Sequence, residues 1–147
     1  MTQDLIEVNN TPAIPGLIFR HFRGASDFPH MVAAITASAE ADQVERVATV
    51  EDIANSYAHL TNSDPYRDML FAEVNGEVIG YSRGGWYAEA DNGPYLYTLV
   101  GFLVPAWRRQ GIGQVILRWL ESRLREVAMG HPADRTKFFK RLLHNTK

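Results

Sequence analysis

The chain has 147 residues, 46% of them hydrophobic and 22% charged, with a formal net charge of −2 and no cysteine. That composition fits one globular domain with a real hydrophobic core and argues against nucleic-acid binding by bulk positive charge. The lack of cysteine excludes disulfides, a thiolate nucleophile and cysteine-ligated zinc. With no basic-then-apolar leader and no run near the ~20 apolar residues of a membrane span, the expectation is a cytoplasmic protein with no membrane partner.

Residues 1–15 are polar, with Asn9-Asn10, Pro12 and Pro15, and read as a loose lead-in. Leu17 to Phe22 is short and aromatic-rich, a first strand. Ser26 as N-cap, Pro29 in the first turn and the spacing of Phe28, Met31, Val32, Ile35 and Ala39 predict a helix from Asp27 to about Ala41. Thr49-Val-Glu-Asp52 has the form of a capping box. Ile53, Tyr57 and Leu60 continue it, so a second helix runs to about Leu60 and stops before Asn62-Ser-Asp-Pro65.

Met69 to Val74 reads as a strand, Asn75-Gly76 as a two-residue hairpin turn, and Glu77 to Trp86 as the return strand, with Gly84-Gly85 marking a bulge or its end. After the loop Asp91–Pro94, residues Tyr95 to Val104 continue an antiparallel meander. Ile112 to Ala128 is a long amphipathic helix with Ile116, Leu120, Leu124 and Val127 as its apolar stripe, ended by Gly130-His-Pro132. In the tail, Phe138-Phe139 and Leu142-Leu143 fit a short helix or a fifth strand, and periodicity does not decide.

The most informative stretch is Val104-Pro-Ala-Trp-Arg-Arg-Gln-Gly-Ile-Gly113. A strand, a glycine turn with positive charge and a helix start make a phosphate site. First-turn N–H groups lack internal partners and sit at the positive end of the helix dipole, and glycine lets the backbone approach the anion. A P-loop would need Lys-Ser or Lys-Thr after the glycines. A dinucleotide fingerprint would need Gly or Ala where Ile116 stands, and a βαβ unit rather than a preceding hairpin. Adjacent Arg108 and Arg109 cannot both face a ligand, so one of them is a solvated surface charge.

The hexapeptide Arg108-Arg-Gln-Gly111-Ile-Gly113 resembles the Arg/Gln-x-x-Gly-x-Gly/Ala signature of the GNAT superfamily of N-acetyltransferases, and Val104-Pro-Ala-Trp-Arg108 resembles its Val-x-Pro-x-x-Arg lead-in. The order strand, two helices, hairpin, strand, signature, helix agrees over about Leu17 to Met129. The resemblance implies an α/β fold of the GNAT type: a mixed, mostly antiparallel sheet with helices on both faces. It implies acetyl-CoA as cosubstrate, with its diphosphate on the amides of Arg109, Gln110, Gly111, Ile112, Gly113 and Gln114. Arg108 opens the signature, and backbone near Phe102, at Leu103 and Val104, serves the pantetheine arm. A splay between this strand and the next would receive the thioester. An amine would attack the thioester directly, helped by a base and an acid and by a backbone amide on the carbonyl.

Acid and base are not fixed by the residues. Glu73, Glu77 and Glu89 are candidate bases, with Glu89 nearest an acceptor pocket. Of Tyr81, Tyr87, Tyr95 and Tyr97, the last is the candidate acid, although strand aromatics mostly pack. Trp86, Tyr87, Tyr95 and Tyr97 line an acceptor pocket or pack across strands. The five histidines show no metal-ligand spacing, so no metal site is expected, and no Gly-x-Ser-x-Gly elbow is present.

The resemblance also implies a strand, a helix and a strand pair after the signature helix, carrying the family's tyrosine acid. The residues after Met129 supply one strand at most, so the single domain is expected to be incomplete. It would be a fragment of a longer acetyltransferase, a chain whose sheet is completed by a second copy as a homodimer, or a degenerate relative that binds CoA poorly or not at all. Two functions follow: an N-acetyltransferase acting on a small-molecule amine or an amino group, or a non-catalytic GNAT-like module that binds CoA or a partner chain.

Overall fold

The computed structural model describes residues 4–144. Its frame is one six-stranded sheet in which neighbours in sequence are neighbours in space: β1 (Leu5–Ile6), β2 (Leu17–Arg20), β3 (Met69–Val74), β4 (Glu77–Ala88), β5 (Tyr95–Leu103) and β6 (Lys137–His144). All pairings are antiparallel except β5–β6, which are parallel and therefore need a crossover. That crossover is α3 (Ile112–Met129). The other helices, α1 (Phe28–Ala41) and α2 (Val50–Ala58), follow β2.

The sheet separates two apolar clusters. On one face Ile112, Val115, Ile116, Leu120, Leu124 and Ala128 of α3 pack on Leu70, Ala72, Ile79, Tyr97, Leu99 and Leu103. On the other, Met31, Ala34 and Ile35 of α1 pack on Met69, Phe71, Tyr81 and Phe102. The alternation of Leu70 and Ala72 with Met69 and Phe71 is the strand period of two divided between the faces. All six residues of β3 are buried, as a strand covered on both sides requires.

Local signals account for most boundaries. Asn75 (φ +52°) and Gly76 (φ +85°) are both left-handed, the pair a type I′ hairpin needs. At α2 both bonds of the capping box form: Asp52 N–H donates to Thr49 Oγ1 (3.0 Å), and Thr49 N–H donates to Asp52 Oδ2 (3.2 Å).

Four expectations change. The lead-in is not loose: Leu5–Ile6 pairs with Phe19 and Arg20, and Val8 and Ile14 pack on the α3-side core. The tail is a strand, which makes six strands rather than five. Gly84-Gly85 neither ends nor bulges β4, which runs on to Ala88; the register shift lies at Ala72/Glu73. These glycines instead allow close approach, since a Cβ on Gly84 would lie 3.2 Å from Leu124 Cδ2 and one on Gly85 3.3 Å from Ser63 Cβ. Finally, Ser26 does not cap α1; Asp27 takes that position, and its carboxylate is drawn to Arg20 instead.

Arg20 is 1% exposed. It donates to both oxygens of Asp27 (3.0 and 2.6 Å), to Glu73 and to the His21 carbonyl (2.9 Å), with its guanidinium 4.8 Å from the centre of the Phe71 ring. A buried charge is tolerated when paired and hydrogen-bonded in this way. The arrangement ties β2, β3 and the start of α1 together.

Candidate acyl-CoA site

The end of β5 is held by Val104 N–H, which donates to the Ile79 carbonyl on β4 (2.8 Å). A single 3-10 turn, Pro105–Trp107, follows. Arg109 then takes φ +66°, and Gly111, the N-cap of α3, takes φ +90° and ψ −5°. A left-handed residue is accessible to glycine without penalty. The first helical bond is Val115 N–H to the Gly111 carbonyl (3.2 Å), so the amides of Ile112, Gly113 and Gln114 have no intrahelical acceptor. Among the described residues no side chain caps them, and the first turn holds no acidic residue. The positive end of an 18-residue helix is thus presented at the end of β5.

The two arginines divide as adjacency requires. Arg108 turns inward: Nη1 and Nη2 donate to Asp42 at the end of α1 (2.8 and 3.3 Å), and Nε donates to the Leu103 carbonyl (3.2 Å). Ser38 Oγ donates to the same carbonyl (3.3 Å). Arg108 therefore braces the turn against α1, whereas Arg109 is exposed. Phe102 is buried, with its ring 5.8 Å from Tyr81 and the Arg46 guanidinium 5.5 Å above it.

The Acetyltransferase (GNAT) family model matches residues 30–133. The chain belongs to the GNAT acetyltransferase family. No curated protein matches it in sequence. Among solved structures it is similar to a GCN5-related N-acetyltransferase from Sphaerobacter thermophilus (TM-score 0.66, 22% identity, 80% of this chain and 35% of that one). It is also similar to yncA from Salmonella typhimurium, whose structure holds its cofactor acetyl-CoA (TM-score 0.57, 21% identity, 76% and 64%). A third is a GNAT family acetyltransferase from Staphylococcus aureus (TM-score 0.53, 16% identity, 85% of each chain). The chain thus spans about a third of the Sphaerobacter protein and just under two thirds of yncA.

The GNAT match begins after β2 and stops before β6, yet both strands belong to the same sheet. Within that sheet β5 and β6 stay paired from Tyr95–Lys137 to Phe102–His144, so the splay implied by the resemblance does not occur among the described residues. The Leu103 carbonyl and the Val104 amide, expected to serve the pantetheine arm, already hold bonds within the GNAT domain.

The candidate acid and base do not come together. Glu73 is committed to Arg20, and Glu77 is exposed at the hairpin. Glu89 is exposed just beyond β4. Tyr97 is fully buried on the α3 face, its hydroxyl 2.6 Å from His131 Nδ1 and its ring stacked on Phe139 (4.8 Å). Burial pushes its pKa up. Trp86 and Tyr95 stack on each other (5.6 Å) and pack at a tilt against His131 (4.3 and 4.5 Å), so both are engaged in cross-strand packing. Tyr87 is exposed.

Two cavities lie at the lead-in. One of about 610 Å³ is bounded by β1 and β2, and one of about 480 Å³ lies between residues 7–10 and α3. Neither includes a residue of the 108–113 turn. Beside the turn is a recess of about 20 Å³ lined by Ser38, Asp42, Arg46 and Phe102 among others.

Sequence reasoning missed Asp42, which pairs with Arg108 of the turn, and Ser38 and Arg46, which reach the end of β5 at the Leu103 carbonyl and the Phe102 ring. It also missed Arg83. The signal for Arg83 was present: it is the one charge within residues 78–85, a stretch otherwise without charged side chains in a strand covered on both faces.

Proposed function

We propose that this GNAT domain is an N-acetyltransferase that takes the acetyl group of acetyl-CoA to the amine of a small molecule or to an amino group. The observation that carries the reading is the uncapped first turn of α3 behind left-handed Gly111. Its amides offer a diphosphate an array of N–H donors and the helix dipole, and the Asp42–Arg108 clamp fixes the turn that aims them. The amides of Ile112, Gly113 and Gln114 hold the anion, and exposed Arg109 adds charge at the rim. The family and the acetyl-CoA held by yncA support this choice of cosubstrate.

In the reaction the amine nitrogen attacks the thioester carbonyl carbon. The C–N bond forms, the C–S bond breaks, the amine loses a proton to a base or water, and the thiolate gains one. We keep Glu89 as the candidate base, since it is open to solvent, and assign Tyr97 to packing, since its hydroxyl is buried against His131.

A second reading, a CoA-binding module without turnover, is favoured by the unbroken β5–β6 register, which leaves no gap for an acyl arm. One experiment tests both. A ligand that binds only the folded state adds about 2.7 kcal/mol at 100 times its Kd, so acetyl-CoA is expected to raise the melting temperature. With no cysteine in the chain, released CoA thiol can be titrated without protein background while amines are supplied. A thermal shift with thiol release supports the enzyme, and a shift without release leaves the binding module. No shift at millimolar acetyl-CoA rejects both.

A further inference from the structure

The arginines of this chain are not treated alike. Arg20, Arg108 and Arg123 each meet at least one carboxylate. Arg83, half-buried on β4, meets none among the described residues. Its Nε donates to Tyr57 Oη (3.3 Å), its Nη1 donates to Ser63 Oγ (3.2 Å), and its guanidinium lies 5.4 Å from the centre of the Tyr57 ring. These partners are neutral. They orient the fork without cancelling its charge, and Nη2 has no hydrogen bond among the described residues. A part-buried cation without a counter-charge is costly to maintain, whereas a carboxylate received by an oriented fork is a strong, directional contact.

The register gives the position. On β4, Tyr81 pairs with Phe102 and Arg83 with Val100, and Phe102 and Val100 face the α1–α2 side of the sheet. Arg83 therefore sits one row of side chains from Phe102, at the end of β5 that leads into the 108–113 turn. A second cation, Arg46, lies over Phe102 from the linker after α1. Tyr81, buried on the same face, has its ring 5.8 Å from that of Phe102. Asp42, the carboxylate beside Arg46 in the recess, is bound by Arg108.

We infer that the α1–α2 face beside β5 receives an acceptor amine that also carries a carboxylate, with Arg83 as the residue that recognises it and Arg46 as a second charge that draws it in. This rests on the acetyl-transfer reading above, and it names the class of acceptor: an amino acid or a similar amino-carboxylate rather than a simple alkylamine.

The test compares amino acids with their carboxamides as acceptors by thiol release. Wild type is expected to favour the carboxylates at least tenfold in kcat/KM, Arg83→Gln to reduce that preference to within about twofold, and Arg83→Lys to keep its direction. Equal use of acid and amide, or a preference untouched by Arg83→Gln, overturns the inference. Where no acceptor turns over, binding of the N-acetylated acids and their amides is measured by calorimetry, and equal affinities overturn it likewise. The acetyl-CoA thermal shift is recorded on every variant. If it is absent from wild type, the acetyl-CoA reading has failed; if it is present while acid and amide are not distinguished, the acceptor inference alone has failed. A shift retained in Arg83→Gln shows that the variant is folded.

Discussion

At the scale of single residues, Gly111 carries the most consequence. Its φ of +90° costs other L-residues about 1–2 kcal/mol, and an added Cβ would stand 3.3 Å from Pro12 Cγ in the lead-in. Gly111→Val is therefore expected to abolish the acetyl-CoA thermal shift and also to lower stability by about 1–2 kcal/mol, read from urea midpoints. An unchanged acetyl-CoA shift in this variant would show that the turn serves only the fold. The glycine pattern was legible from sequence because it is local. The role of Arg108 was not: nothing near position 108 reveals that Asp42, distant in sequence, supplies its counter-charge.

At the scale of elements, the far end of α3 is fastened as firmly as its start. The segment leaving α3 brings His131 onto Trp86, Tyr95 and Tyr97, so that β4, β5 and α3 share one aromatic stack. Burial there, and to a smaller extent the charge of Lys137, holds the His131 pKa below the usual histidine value, which is about 6.5 in an unfolded chain. Between the folded and unfolded values the unfolded state binds a proton that the folded state does not, so stability falls as pH drops below about 6.5. His131→Asn is expected to flatten that part of the curve, measured by urea denaturation between about pH 5 and 7.5. A wild-type-minus-variant difference that does not change with pH would reject the coupling. The helices themselves were readable from spacing and caps, whereas the tail was not: Phe138-Phe139 and Leu142-Leu143 fit either period, and pairing with β5 decided for a strand.

For the whole molecule, the sheet order follows the chain order, with β6 as the last strand beside β5. Its outer edge is where a second copy could extend the sheet. Pairing of two β6 strands gathers Lys137 and Lys140 of both copies along one seam, where like charges repel. Self-association through this edge is therefore expected to strengthen with ionic strength, read as mass by light scattering at low and high salt. A monomer mass under both conditions rejects completion of the sheet by a second copy.

The sequence by itself determined the local grammar. It showed the three helices and the strands β2 to β5, the hairpin at Asn75-Gly76, the cap at Thr49, and a glycine turn opening α3. Each is set by residues within a few positions of one another, where period, capping and backbone freedom act. Tertiary structure alone decided that Leu5–Ile6 joins the sheet, that Glu73 pairs with Arg20, and that Arg108 faces Asp42. It also decided that β6 closes onto β5 and that Arg83 stands among neutral partners. Those outcomes depend on which distant surfaces meet, and on whether a buried charge finds its counter-charge across the sheet.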